Sequence, residues 1–130
     1  MTNDKFIELQ ATLVKRLTSL GYDYDEKVDD FALRFCVDKI ENKILNAING
    51  EEVPPGLYEV LVDMVCGELL NAKNATISIE AKEKIVKKIV EGENTIEFDT
   101  TDISKLYNRL INRLCTDGEK HFSTYRKLVW

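Results

Sequence analysis

The sequence predicts a mainly α fold, a small bundle of about four helices in one domain. Apolar residues recur at spacings of three and four along most of the chain, and turn residues stand at the breaks between those stretches. A balance of 44% hydrophobic to 32% charged residues, with only two prolines and six glycines, is that of a folded chain rather than a disordered one. At 130 residues the chain suits a single core, large enough to cover about two thirds of the surface that the unfolded chain exposes.

Asp4 is expected to cap the first helix, whose apolar stripe Phe6, Leu9, Leu13, Leu17 and Leu20 ends at Gly21. Polar Glu8, Gln10, Lys15 and Arg16 occupy the other side, so this helix belongs on the outside of a bundle or against a neighbouring subunit. A second helix follows Tyr22-Asp23-Tyr24-Asp25 and runs to about Asn49, with Gly50 as its stop. Val28, Phe31, Ala32, Phe35, Cys36, Ile40, Ile44, Ala47 and Ile48 are assigned to one face of it. Asp25, Glu26, Asp29 and Asp30 crowd its start, where they favour the positive end of the helix dipole; they read as a solvated helix start in preference to a metal site.

Val53-Pro54-Pro55-Gly56 breaks the chain before a third helix from about Pro55 to Lys73. Leu57, Tyr58, Val60, Leu61, Val62, Met64, Val65, Cys66, Leu69 and Leu70 leave almost no side of it polar, so it is the central helix and needs cover on several sides. Gly67 in its interior costs about 1 kcal/mol relative to alanine, which points to a close helix crossing. Residues 74–100 carry two patterns. Ile85, Val86, Ile89 and Val90 have helical spacing, Glu91-Gly92-Glu93-Asn94 reads as a turn, and Thr95-Ile96-Glu97-Phe98 alternates as a strand. A helix followed by a strand and a β-hairpin both satisfy this stretch. Thr100-Thr101-Asp102 then caps a last helix with the seam Ile103, Leu106, Tyr107, Leu110, Ile111 and Leu114, closed by Asp117-Gly118.

Chemistry-bearing patterns are sparse. A formal net charge of −5 opposes general attraction to phosphate backbones, and Lys87-Lys88 and Arg126-Lys127 are too short to form a binding stripe. Cys36, Cys66 and Cys115 are odd in number and lie within helical patterns, so they are expected to be buried thiols. His121 stands alone as a histidine and lacks the partners of a zinc site or a catalytic dyad. No phosphate-binding glycine loop or nucleophile elbow occurs, and Glu59 and Asp63 read as a polar strip on an apolar helix. The expectation is therefore no enzyme, no metal and no cofactor. Met1-Thr2-Asn3-Asp4-Lys5 does not start a signal peptide and no run is long enough to span a membrane, so a cytosolic protein is expected. The closing residues Tyr125-Arg126-Lys127-Leu128-Val129-Trp130 would lose burial energy if left in water, and either the protein's own core or a partner's groove covers them.

The order of these features resembles tailed-phage head-tail connector proteins, also called head-completion adaptors. The segments that carry the resemblance are the long second helix, the Pro-Pro-Gly break, Leu57-Tyr58-Glu59-Val60-Leu61-Val62-Asp63-Met64-Val65-Cys66-Gly67-Glu68, Val90-Glu91-Gly92-Glu93-Asn94-Thr95-Ile96-Glu97-Phe98 and the closing six residues. It covers residues 22–130. The resemblance implies a non-catalytic structural protein of a phage or prophage that forms an oligomeric ring under the portal after DNA packaging and joins the head to the tail or a stopper protein. DNA would pass through it without sequence-specific binding, and no membrane would be involved. Its location would be the virion neck, and the host bacterial cytoplasm before assembly.

The resemblance also implies a short β-hairpin with strands at 85–91 and 94–98. Lys87, Ile89, Glu91, Asn94, Ile96 and Phe98 are then the subunit-contact candidates. Tyr125, Arg126, Lys127, Leu128 and Trp130 would dock on the portal, the two aromatics as anchors. A cytosolic helical regulatory module acting on another protein is the alternative.

Overall fold

The computed structural model describes residues 2–90 and 100–127, with only the backbone at 100 and 101. Five helices, α1 (Asn3–Ser19), α2 (Glu26–Ile48), α3 (Tyr58–Ala72), α4 (Ile79–Ile89) and α5 (Thr100–Thr116), are followed by a short α6 (Phe122–Tyr125). One 3-10 turn, Pro55–Leu57, leads into α3 and another, Asp117–His121, joins α5 to α6. No strand occurs among the described residues.

α3 is the axis of the fold. Leu61, Val62, Met64, Val65, Cys66, Leu69 and Leu70 are all buried, and α1, α2 and α5 pack around it. α1 contributes Phe6, Leu9, Leu13 and Leu17; α5 contributes Ile103, Tyr107, Leu110 and Ile111. A Cβ built on Gly67 would lie 2.8 Å from Leu114 Cβ and 3.1 Å from the Cys115 nitrogen, so the α3–α5 crossing is as close as the interior glycine indicates. The Tyr107 hydroxyl donates to the Leu70 carbonyl at 2.7 Å and ties α5 to the end of α3.

Several local expectations need correction. Thr2, not Asp4, caps α1, its hydroxyl accepting from the Lys5 N–H, while Asp4 sits in the first turn near the positive end of the dipole. α2 stops on Asn49, which takes the left-handed conformation (φ 55°) one residue before Gly50; its side-chain amide also reaches the Lys127 carbonyl. α2 points Leu33, Cys36, Val37, Ile40, Ile44 and Ile48 inward, while Val28, Phe31 and Phe35 face solvent. At about 100° per residue, Phe31 lies nearly half a turn of the helix from Leu33, so the two sets cannot share a face.

The hairpin is not present where its first strand is described. Residues 85–89 belong to α4, which Val90 closes. Three local terms favour the helix: Ser78 accepts from the Ala81 N–H at 3.1 Å as N-cap, Glu83 pairs with Lys87 at 2.7 Å one turn on, and Lys87 and Lys88 sit at the negative end of the dipole. Burial of Ile85 and Val86 then overrides their β preference. The expected second strand, 94–98, lies outside the described residues.

The acidic start of α2 is not simply solvated. Asp29 is 1% exposed, the one buried charged residue among those described. Its Oδ1 meets Lys73 Nζ at 2.7 Å, and its Oδ2 accepts from the Tyr22 hydroxyl at 2.8 Å and the Asp25 N–H at 3.0 Å. The network staples the α1–α2 turn to the end of α3. Burial pushes the Asp29 carboxyl up, but Lys73, the Asp25 N–H and Tyr22 together outweigh it and hold the group below its usual range. Beside it, Gly21 (φ +90°) lets the turn pass against the Lys84 carbonyl and the Ile85 backbone of α4.

Because the folded Asp29 carboxyl is the stronger acid, its stabilisation is full above the unfolded value of about 3.9 and is lost as pH falls through the lower folded value. Asp29→Asn should lose about 3 kcal/mol at neutral pH and show a smaller further loss on acidification than wild type, measured by urea unfolding from pH 7 to pH 2. Gly67→Ala should also destabilise, by about 1 kcal/mol. The α5 backbone must move to admit the methyl group, which outweighs the gain in helix propensity; a thermal melt reads the difference.

Candidate functional site

The outer face of α2 carries the chemistry that the core does not use. Val28, Phe31 and Phe35 are 62%, 85% and 63% exposed, at helical spacings of three and four residues. α1 supplies a fourth apolar group to this surface. Asn3, Ile7 and Gln10 share a stripe of α1. Asn3 accepts from Arg34 at 3.4 Å, and Gln10 donates to Asp30 at 2.9 Å. On α1 these polar clasps stand on either side of Ile7, which is 56% exposed. Arg34 is held further by the Phe6 ring, 4.6 Å from its guanidinium carbon, and by Asp38 at 3.7 Å. The Tyr24 hydroxyl donates to Asp30 on the same seam.

The patch is thus mounted on a fixed helix pair rather than a loop. Its exposed apolar area is on the order of 500 Å², the size of the largest apolar patch on a typical monomer, which is often a functional one. Each aromatic left in water forgoes roughly 1.5–3 kcal/mol that burial would return.

The closing segment begins on the protein's own domain. Tyr125 is half-buried against the core, and a Cβ built on Gly56 would collide with its hydroxyl. The Lys127 N–H donates to the Ile48 carbonyl at 2.8 Å, so the chain runs along the end of α2. Tyr125 is therefore committed to internal packing, whereas the Arg126 and Lys127 side chains are exposed. Leu128 and Trp130 lie outside the described residues. Of the subunit-contact candidates, Lys87 is exposed and paired with Glu83, and Ile89 is half-buried against the core. Glu91, Asn94, Ile96 and Phe98 lie outside the described residues.

Two of the depressions that border α3 bring titratable groups together. A groove of about 700 Å³ between the start of α1, the 51–53 turn and α3 has an apolar floor of Leu9, Val53 and Leu61 and acidic groups Glu8, Glu51 and Glu52 on its rim. A cleft of about 400 Å³ brings the exposed His121 near Glu59 and Asp63, but Asp63 is engaged by Arg16 Nε at 2.8 Å. Burial pushes the Cys36 thiol up to about 11 and the Cys66 thiol up to about 12, and raises Cys115 as well, so all three are protonated, poor nucleophiles at neutral pH. Among the described residues no group of three or more His, Cys, Asp or Glu side chains is placed to hold a metal ion.

Comparison with protein-family models, with curated proteins and with solved structures finds no match to this chain. The outer face of α2 was the surface that sequence reasoning assigned to the core. The signal that separates it is the run Leu33, Val37, Ile40, Ile44, Ile48, a complete inward seam that leaves Val28, Phe31 and Phe35 without a place in it.

Tyr125→Ala should cost about 1–2 kcal/mol in chemical denaturation, as expected for truncating a half-buried aromatic, while Arg126→Ala should change stability by no more than about 0.5 kcal/mol. A neutral Tyr125→Ala would show that the segment's packing on its own domain carries no energy.

Proposed function

We propose that this protein is a non-catalytic assembly component that meets another protein chain through the outer face of α2. The observation that carries the reading is the fixed apolar stripe Val28, Phe31 and Phe35 with Ile7 beside it. A solvent-exposed aromatic pair on a rigid helix costs solubility and adds nothing to the core, which is the pattern of an interface rather than of packing.

Within that class, the resemblance over residues 22–130 supports a tailed-phage head-tail connector that forms a ring under the portal and joins the DNA-filled head to the tail or a stopper protein. A net charge of −5 suits a wall past which DNA moves without being held. No described helix is long and apolar enough to cross a membrane. The helix at Ile79–Ile89 departs from the hairpin that the resemblance implies, so in this reading α2, rather than a hairpin edge, supplies the principal contact. Arg126 and Lys127, with their side chains in solvent, remain candidates for portal contact, together with Leu128 and Trp130. The acid-rimmed groove beside Leu9 and Leu61 favours a second reading, a regulatory module that binds one soluble protein.

Electron microscopy of the protein mixed with the portal encoded beside it tests the first reading. The expected result is added ring density on the portal, lost with Phe31→Glu. A free portal in every image, or a discrete complex with a soluble protein and no rings, overturns the connector assignment.

A further inference from the structure

We infer that in the free protein the groove beside Leu9 and Leu61 is the seat of the chain's own closing residues, Leu128-Val129-Trp130, which lie outside the described ones. The groove shares no residue with the apolar patch on α2, so the two assignments stand or fall separately.

Backbone bonds fix where those residues start. The Lys127 N–H donates to the Ile48 carbonyl at 2.8 Å and the Lys127 carbonyl accepts from the Asn49 side-chain amide at 3.4 Å, so the chain leaves Lys127 at the end of α2. There Lys127 borders a depression of about 590 Å³ together with Glu51, Glu52 and Val53. The same Glu51, Glu52 and Val53 form one wall of the groove, so the two hollows adjoin across a single turn. Three residues span up to about 10 Å when extended, enough to cross that turn. The α2 patch is out of their reach, because its last member, Phe35, stands about 20 Å along the helix from Ile48.

The chemistry matches along this path. Glu51 and Glu52 are exposed where the chain delivers Arg126 and Lys127, whose side chains are also in solvent, so unlike charges meet at the entrance. Beyond it, Val53 and the 41% exposed Tyr58 present apolar surface over Leu9 and Leu61. A volume of about 700 Å³ suits a hollow that seats an apolar group such as an indole, and Trp130 against Tyr58 makes an aromatic pair there. Tethering decides the occupant. A segment joined to the groove by so short a path has an effective concentration on the order of millimolar, which a free partner at micromolar concentration does not match. Any partner of the groove, or of the tail, must first separate the two.

Trp130 is the only tryptophan of the chain, so its fluorescence reports this seat alone. In dilute solutions of the full chain the expected emission lies to the blue of a solvated indole, with acrylamide quenching reduced several-fold and neither value dependent on concentration. Nuclear Overhauser contacts should join the indole ring protons to the Val53 methyls and the Tyr58 ring. Val53→Asp should return the emission and the quenching to those of a solvated indole, and Glu51→Lys combined with Glu52→Lys should do so in part. Helical circular dichroism should be retained in both variants, since residues 51–53 lie between helices. If Val53→Asp does lose helix, the wild-type contacts alone decide.

A solvated indole in the dilute wild-type chain overturns the inference. A shielded indole that lacks contacts to Val53 and Tyr58, or that a folded Val53→Asp leaves unchanged, overturns it too, since Trp130 is then covered elsewhere. Shielding that grows with concentration places Trp130 on a second copy and overturns the intrachain seat.

Discussion

α3 has no side that tolerates water, and the rest of the molecule is arranged around that constraint. A helix apolar on nearly every face is stable only when several neighbours cover it at once. α1, α2 and α5 each pack against it. Gly67 sets how near α5 can come, since any side chain there would meet its backbone. Covering α3 leaves each surrounding helix one inward stripe and an outer face that the core does not need. On α1 that outer face is mostly polar; on the first half of α2 it is aromatic.

Polar contacts fix the register that apolar packing alone leaves loose. Burying Asp29 is costly, so its ion pair with Lys73 and its bonds from Tyr22 and the Asp25 N–H are best read as specifying where the α1–α2 turn meets the end of α3. The clasps between Asn3 and Arg34 and between Gln10 and Asp30 hold α1 on the flank of α2. An interface built this way is preorganised, and loses less conformational entropy on binding than a loop would.

Element type was readable wherever local energy and tertiary burial agreed. Phe6, Leu9, Leu13 and Leu17 repeat cleanly and α1 follows them; Ile103, Tyr107, Leu110 and Ile111 do the same for α5. The spacing of Ile85, Val86, Ile89 and Val90 is helical, and only the family resemblance placed a strand at 85–91. A capping serine, an i,i+4 ion pair and burial of Ile85 and Val86 against elements distant in sequence decided for the helix. Asp29 misled for a related reason: Lys73, which makes its burial tolerable, is far along the chain and carries no local mark of the pairing.

By itself the sequence determined that the described chain is mainly helical, that α3 is central, that Gly67 marks a close crossing and that Cys36 and Cys66 are buried, with Cys115 only half so, because each depends on periodicity or residue size within one segment. Tertiary structure decided which of two apolar stripes on α2 turns inward, and that Tyr125 and the Lys127 backbone settle on the protein's own domain. Hydrophobicity has no direction until neighbours occupy one side of a helix. Leu33 and Val37 align with the α3 packing surface, and that geometry, rather than any property of phenylalanine, leaves Phe31 and Phe35 in solvent as the surface on which the functional proposal rests.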